Sequence, residues 1–420
     1  MICVFTSQQA WADTQWGLWG LGGIPGCNNN DRLGILSKVP GIMPTGLKNT
    51  TFISGLINNA LGSADNNTSD QESNMQYRPL GTSSLKVSAL CLGTMTWGEQ
   101  NTQREAFAQI DRSQDAGVNF IDCAEMYPVP PNGKTYGATE RIIGEYFRQH
   151  GNRDKWILAS KVAGPSRDMK HIREGKTRFT REHITAALED SLQRLQTDHI
   201  DLYQLHWPDR PTNFFGQLGY QHDTEGHLTP IEDTLEVLDD LVRAGKIRYI
   251  GLSNETPWGT SRFLQLAEAR GWPRIVSVQN PYNLLNRSYE VGMAEISIRE
   301  QAGLLAYSPL AFGTLTGKYL DGQRPEKARL TLFERFVRYT NPQAQAACAR
   351  YVQLARDHGL DPAQMALAYV TRQPFVTSNI IGATNMDQLN RNLSSINLGL
   401  TDKVLEAIEE IHRSQPNPAP

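Results

Sequence analysis

Cysteine is scarce and scattered here: five in 420 residues, at Cys3, Cys27, Cys91, Cys123 and Cys348, with no C-x-x-C pair. An odd set at such spacing argues against a disulfide framework or a zinc cluster, and the expectation is a reducing, cytoplasmic setting with no bound metal. No run of ~18 apolar residues occurs, so no membrane-spanning helix is expected. A secretory signal is not expected either, because Gln8, Gln9, Asp13 and Gln15 break up the N-terminal apolar stretch. Positive charge is not concentrated either: 41 Lys and Arg face 44 Asp and Glu, a formal net charge of -3. A nucleic-acid partner needs a dense cationic face, so none is expected. The glycine fingerprint of a dinucleotide-binding strand-turn-helix is absent too. Gly20-x-Gly22-x-x-x-Gly26 resembles it faintly, but Pro25 fills the slot of the third glycine and neither strand nor helix flanks it.

The chain is heterogeneous along its length. Residues 1–74 are rich in Gly, Asn and Ser, with no sustained period beyond a short helical stretch near 50–61. They read as a flexible or spurious extension, with Met75 as the natural beginning of the folded part. From there short apolar runs alternate with amphipathic stretches. The runs are Ala89–Leu92, Asn119–Ala124, Trp156–Lys161, Leu202–Trp207, Tyr249–Asn254, Ile275–Asn280, Leu304–Ser308 and Ile380–Ala383. Helical patterns lie between them at 102–116, 137–149, 180–195, 231–244, 258–270, 290–301, 343–372 and 385–395, with Pro362 dividing the longest into two. Strands that alternate with helices pair in parallel through crossovers. Eight such units over 75–420 predict one domain, an α/β fold of the closed (β/α)8 TIM-barrel type. A hairpin near Gln76–Leu80 and Leu85–Ser88 is expected to cap the barrel's bottom, and long loops to lie at its C-terminal face.

In such a barrel the chemistry sits at the C-terminal ends of the strands. The second run ends in Asp122-Cys-Ala-Glu-Met-Tyr127, the third in Ser160-Lys161 and the fourth in His206-Trp207. Each residue alone has an ordinary explanation: Lys161 as a rim residue, Asp122 as a turn cap, His206 and Tyr127 as packing. Together at three successive strand ends they describe acid catalysis on a carbonyl oxygen. A tyrosine holds its proton at neutral pH and can donate it. An adjacent ammonium is expected to lower its pKa, a carboxylate to hold that ammonium, and an imidazole to orient the oxygen. A Schiff-base role for Lys161 is the weaker reading, because a nearby Asp122 raises the pKa that an amine nucleophile needs lowered.

These words, with Gly93-Thr-Met-Thr-Trp-Gly98, Leu205-His-Trp-Pro208, Gly251-Leu-Ser-Asn254, Gln279-Asn-Pro-Tyr282 and Tyr307-Ser-Pro-Leu310, resemble the aldo-keto reductases over residues 75–420. The resemblance implies a catalytic tetrad of Asp122, Tyr127, Lys161 and His206, with Tyr127 as general acid, and NADPH-dependent reduction of a small-molecule carbonyl substrate. It implies that Ser253, Asn254 and Gln279 bond the nicotinamide carboxamide and that Tyr307 stacks on the ring. Ser308, Leu310, Gly313 and Leu315 belong to the loop expected to cradle the pyrophosphate, with Lys318 and Arg329 as cations for a 2′-phosphate. Gly382, Thr384, Gln388 and Asn392 are the expected adenosine end; no role is assigned to Arg391. Trp97, Met126 and Trp207 are expected to rim the substrate pocket. Phe214, Phe215 and Tyr220, in the long stretch Pro208–Thr229, are expected to close over it, with Pro128–Tyr136 contributing from the other side. The same fold also serves as channel-associated β subunits, so an NADP(H)-sensing regulatory subunit is the alternative.

Overall fold

The computed structural model describes residues 74–166 and 168–420. The expected extension (apart from Asn74), with its helical stretch near 50–61 and its glycine pattern, lies outside the described residues. Strands β1 (Tyr77–Pro79) and β2 (Lys86–Ser88) form an antiparallel hairpin in the register Tyr77↔Ser88. Eight parallel strands follow: β3 (Leu90–Gly93), β4 (Phe120–Asp122), β5 (Ile157–Val162), β6 (Ile200–Leu205), β7 (Ile247–Ser253), β8 (Ile275–Pro281), β9 (Gly303–Tyr307) and β10 (Val376–Ile381). They close in the order β10-β3-β4-β5-β6-β7-β8-β9. Each overlaps an apolar run of the sequence, because a strand buried on both faces reads as continuous hydrophobicity; β10 is displaced, beginning four residues before the expected run Ile380–Ala383 and ending two residues before its end.

The helices are α1 (Gln103–Asp115), α2 (Ala138–His150), α3 (Arg181–Leu195), α4 (Ile231–Arg243), α5 (Pro257–Arg270), α6 (Met293–Arg299), α7 (Arg329–Leu332), α8 (Pro342–Asp357), α9 (Pro362–Thr371), α10 (Met386–Ser394) and α11 (Asp402–Ser414). Their starts follow capping chemistry. Thr102 and Glu105 form a reciprocal capping box at α1, and the Thr180 side chain accepts the His183 N–H at α3. Asp361 caps α9, so Pro362 takes the first helical position and splits the long pattern as expected. Two differences stand out. The 290–301 pattern is a short 3₁₀ turn (Ser288–Val291) followed by α6, broken at Gly292. Helix α11 was not expected; Thr401 caps it, and Val404, Ile408 and Ile411 form the buried stripe that packs it on the body.

The barrel interior is built in layers. Phe120, Ala159, Leu202 and Leu305 form an apolar floor together with Leu80, Leu85 and Val87 of the hairpin, which therefore plugs the N-terminal mouth. Strand side chains alternate, so the residue two places on shares the same face. Two places above this floor stand Asp122, Lys161, Gln204 and Tyr307. A dry apolar plug beneath a polar layer is what positions the chemistry.

Gly81 turns the plugging hairpin at φ 56°, and a Cβ there would lie 2.3 Å from the Val276 carbonyl oxygen. Gly81→Ala adds left-handed strain of about 1–2 kcal/mol to an overpacking cost of about 1–3 kcal/mol. The expected outcome is a stability loss of about 2–5 kcal/mol in equilibrium urea unfolding.

Candidate active site

Lys161 is completely buried and its Nζ donates to Asp122 Oδ2 at 2.6 Å, to the Cys123 carbonyl at 2.8 Å and to the Tyr127 hydroxyl at 3.4 Å. Asp122 Oδ1 accepts from Gln204 Nε2 at 3.0 Å and from Gln279 Nε2 at 2.8 Å. The rings of Tyr127 and His206 meet edge to face, 5.9 Å between centroids. The four residues gathered from three strand ends thus converge on one point, beneath one cavity of about 1320 Å³. Asp122, Tyr127 and His206 line that cavity; Lys161 lies just behind them.

Burial works against the charge on Lys161, but Asp122, and then Tyr127, more than offset it, so its pKa is raised and the ammonium persists. That leaves no free amine for Schiff-base chemistry. Tyr127 departs from expectation: burial raises its pKa more than the Lys161 charge lowers it. The phenol keeps its proton. Because Lys161 donates to the phenolic oxygen, the Tyr127 proton is free to point into the cavity. Burial, and then the charge of Lys161, hold His206 well below the usual imidazole range, so it is neutral. Its Nδ1 is buried without a hydrogen-bond partner.

Asn254 and Ser253 stand at the end of β7. Asn254 adopts φ 53° and donates to the His206 carbonyl at 2.9 Å, while the Tyr307 hydroxyl donates to its Oδ1 at 2.7 Å. Gln279 spends its amide hydrogens on Asp122 and on Gln204 Oε1 (3.0 Å), which leaves its oxygen to face the cavity as an acceptor. Ser253, Asn254, Gln279, Tyr307, Ser308, Leu310, Gly313, Lys318, Arg329, Gly382, Thr384, Gln388 and Asn392 all line the cavity. Lys318 folds across its own loop, so that a Cβ on Gly313 would come within 2.9 Å of its Nζ. Burial lowers the pKa of Lys318, and the charges of Arg329 and Arg391 lower it further. Neither Lys318 nor Arg329 pairs with a carboxylate among the described residues; each lies over aromatic rings instead. Clustered cations without counter-charge fit an anionic ligand. At the same end, where β10 leads into α10, Gln388 Oε1 accepts from the Thr384 N–H at 3.0 Å and Asn392 donates to the Gly382 carbonyl at 3.0 Å. Arg391 lines the same end and pairs with Asp361 at 3.5 Å.

Three expectations need correction. Trp97 is fully buried, packs in the core between barrel and helices, and donates its indole N–H to Gln109 Oε1 at 3.0 Å. The turn after β3 points Trp97 inward; Thr94 and Met95 line the cavity in its place. Leu315 is likewise core, and its N–H is spent on the Leu310 carbonyl at 3.3 Å, so it does not face the cavity. Tyr220 is exposed and bonds His222 instead. Met126, Trp207, Phe214 and Phe215 do line the cavity, as do Val129 and Pro131 of the shorter insert. Asp209 ties the long loop's two ends by accepting from the Thr229 hydroxyl at 2.5 Å, and it anchors the loop to the segment before α3 by accepting from the Phe179 N–H at 2.7 Å. Gln204 and Arg338 are among the site residues that were not anticipated. Gln204 was detectable, since it sits midway between Leu202 and His206 on the inward face of β6. Arg338 was not, because residues 319–341 carry no period.

A closed parallel barrel with a buried Lys-Asp pair, a phenol and an imidazole at its C-terminal mouth is the architecture of a (β/α)8 oxidoreductase. Residues 89–413 match the model of the Aldo/keto reductase family. The chain is 56% identical over 347 residues, 82% of its length, to the whole of Protein tas of Escherichia coli. It is 31% identical to a probable voltage-gated potassium channel subunit beta of Arabidopsis thaliana, covering 81% of this chain and 98% of that one. It is 30% identical to the L-glyceraldehyde 3-phosphate reductase of Escherichia coli, covering 80% and 92%. The protein belongs to the aldo-keto reductase family. No helix among the described residues is long and apolar enough to cross a membrane.

The lowered pKa of His206 has a signed consequence. The unfolded chain takes up a proton near pH ~6.5 while the folded chain does not, so stability falls as the pH drops below that value, by up to about 1.4 kcal/mol per pH unit. Urea unfolding between pH 7 and 5 is expected to show this slope, and His206→Gln to remove that contribution.

Proposed function

We propose that the protein reduces aldehydes or ketones to alcohols with NADPH, Tyr127 serving as general acid. The observation that carries this reading is the Lys161 bond to the Tyr127 oxygen, which leaves a protonated phenol facing the cavity beside a neutral imidazole. When bound, the dinucleotide supplies the hydride. The residues suited to hold it are Ser253, Asn254 and Gln279 for the carboxamide, whose edge needs a paired donor and acceptor, and Tyr307 for the ring face. Ser308, Leu310 and Gly313 suit the pyrophosphate, and Gly382, Thr384, Gln388 and Asn392 the adenosine. Lys318 and Arg329 suit a 2′-phosphate, which favours NADPH over NADH.

Within the protein the roles divide as follows. Tyr127 gives its proton to the carbonyl oxygen, and Lys161 stabilises the phenolate left behind. Asp122 keeps Lys161 charged and in place. His206, neutral, orients the carbonyl oxygen toward the phenol. Met126 and Trp207, with Phe214 and Phe215, supply apolar walls.

Tyr127→Phe is expected to abolish turnover while NADPH affinity, followed by fluorescence quenching, stays within about twofold (~0.4 kcal/mol); turnover equal to the parent protein would overturn the assignment. Arg329→Leu is expected to weaken NADPH by ~10- to 100-fold and NADH much less. Similar losses for both nucleotides would remove the case for NADPH.

The potassium channel β relative supports a second reading, an NADP(H)-sensing subunit with vestigial turnover. NADPH oxidation over an aldehyde panel that never exceeds one slow turnover per protein would favour it.

A further inference from the structure

Among the described residues, the cavity is lined by six cationic side chains, Lys318, Lys327, Arg329, Arg335, Arg338 and Arg391, against two acidic side chains, Asp122 and Asp168; Pro420 also reaches the wall. Asp122 is already committed to Lys161. Lys318, Arg329 and Arg391 form one electrostatic group, at the end assigned above to the dinucleotide's phosphate. Arg338 belongs to a different part of the wall. The groups that act on its charge are the phenols of Tyr307 and Tyr339, which offset the effect of burial. It also borders the long loop: a Cβ on Gly216 would lie 2.9 Å from Arg338 Nε and 2.7 Å from the Pro420 oxygen.

From Gly216 the wall runs directly to the reacting groups. The Phe215 ring packs on Trp207 at 5.8 Å, and Trp207 on His206 at 4.9 Å. Arg338 therefore faces the cavity along the aromatic wall that ends at the imidazole. Its Nη1 is shielded from solvent and has no hydrogen-bond partner, and no carboxylate among the described residues pairs with it. A buried guanidinium donor left unsatisfied is costly, and a ligand oxyanion is what its planar fork matches.

We propose that Arg338 determines substrate specificity by binding an oxyanion: the carbonyl compound reduced here carries a carboxylate or phosphate, held by Arg338 while its carbonyl lies at Tyr127 and its apolar middle runs along Phe215 and Trp207. This rests on the reductase reading above. Bidentate charge-assisted bonds give both affinity and orientation, which a lysine at this position would supply only as a point charge.

The test compares 4-carboxybenzaldehyde with benzaldehyde, which differ by the anionic group alone. The parent protein is expected to prefer the carboxylated aldehyde by ~10- to 100-fold in kcat/KM. Arg338→Gln is expected to abolish that ratio, and Arg338→Lys to keep part of it. Equal kcat/KM for the two aldehydes in the parent protein would overturn the proposal. So would an Arg338→Gln variant that weakens NADPH while leaving the ratio intact, since the anion would then be the cofactor's. Benzoate binding with NADP present, followed by tryptophan fluorescence, needs no turnover. If neither aldehyde is reduced yet benzoate binds the parent at least tenfold better than Arg338→Gln, the reductase reading fails and the anion site stands. If benzoate binds both proteins equally, the anion site fails.

Discussion

A full positive charge on Lys161 sits inside the barrel where water does not reach it, and the upper half of the barrel is arranged to keep it there. Solvating an ammonium in such a place takes a close carboxylate and well-aimed acceptors. Asp122 at 2.6 Å and the Cys123 carbonyl at 2.8 Å provide them. A buried ion pair of this kind adds little net stability, because desolvation consumes most of the Coulomb gain. Its value lies in what it does to its neighbours. It holds the phenolic oxygen of Tyr127, and its charge helps to keep His206 neutral.

That pair is stiffened by a second set of bonds. Gln204 and Gln279 both donate to the free oxygen of Asp122, and Gln279 also donates to Gln204, so three side chains from β4, β6 and β8 lock one another. With its hydrogens spent inward, Gln279 offers the cavity an acceptor. On the neighbouring strand, Asn254 is held by the Tyr307 hydroxyl and donates to the His206 carbonyl. The groups proposed to hold the nicotinamide and those proposed to move the proton are thereby parts of one hydrogen-bonded layer. This layer rests on the apolar plug of Leu80, Leu85 and Val87, which keeps water from entering from below.

Away from that layer the cavity changes character. Toward the loop 308–318 and α10 it becomes cationic and glycine-containing; toward Trp207 and Phe215 it becomes aromatic, with Arg338 as its polar element. One cavity with an anion-seeking end, a flat aromatic middle and a reactive floor suits a long charged nucleotide and a smaller partner side by side.

Periodicity in the sequence determined the eight strands, their order of chemistry-bearing ends and most of the helices, because the barrel imposes period two on strands and 3.6 on helices wherever one face is buried. Hence Asp122, Lys161 and His206 could be put at one mouth from the string alone, and Gln204 was within reach of the same argument. Only the tertiary structure decided where side chains in aperiodic segments point. Trp97 looked like a rim residue yet turns into the core to reach Gln109, and Leu315 spends its N–H within its own loop. Arg338 lies in a segment that approaches Gly216, more than a hundred residues away in the chain, and that is bonded through Asn341 to the Pro418 carbonyl, about eighty residues away. Such contacts leave no local pattern, because they are selected by space and charge rather than by the repeat of a helix or strand. The pKa of Tyr127 falls in the same class: residue identity suggested a lowered value, and burial, a property of the folded state alone, raised it.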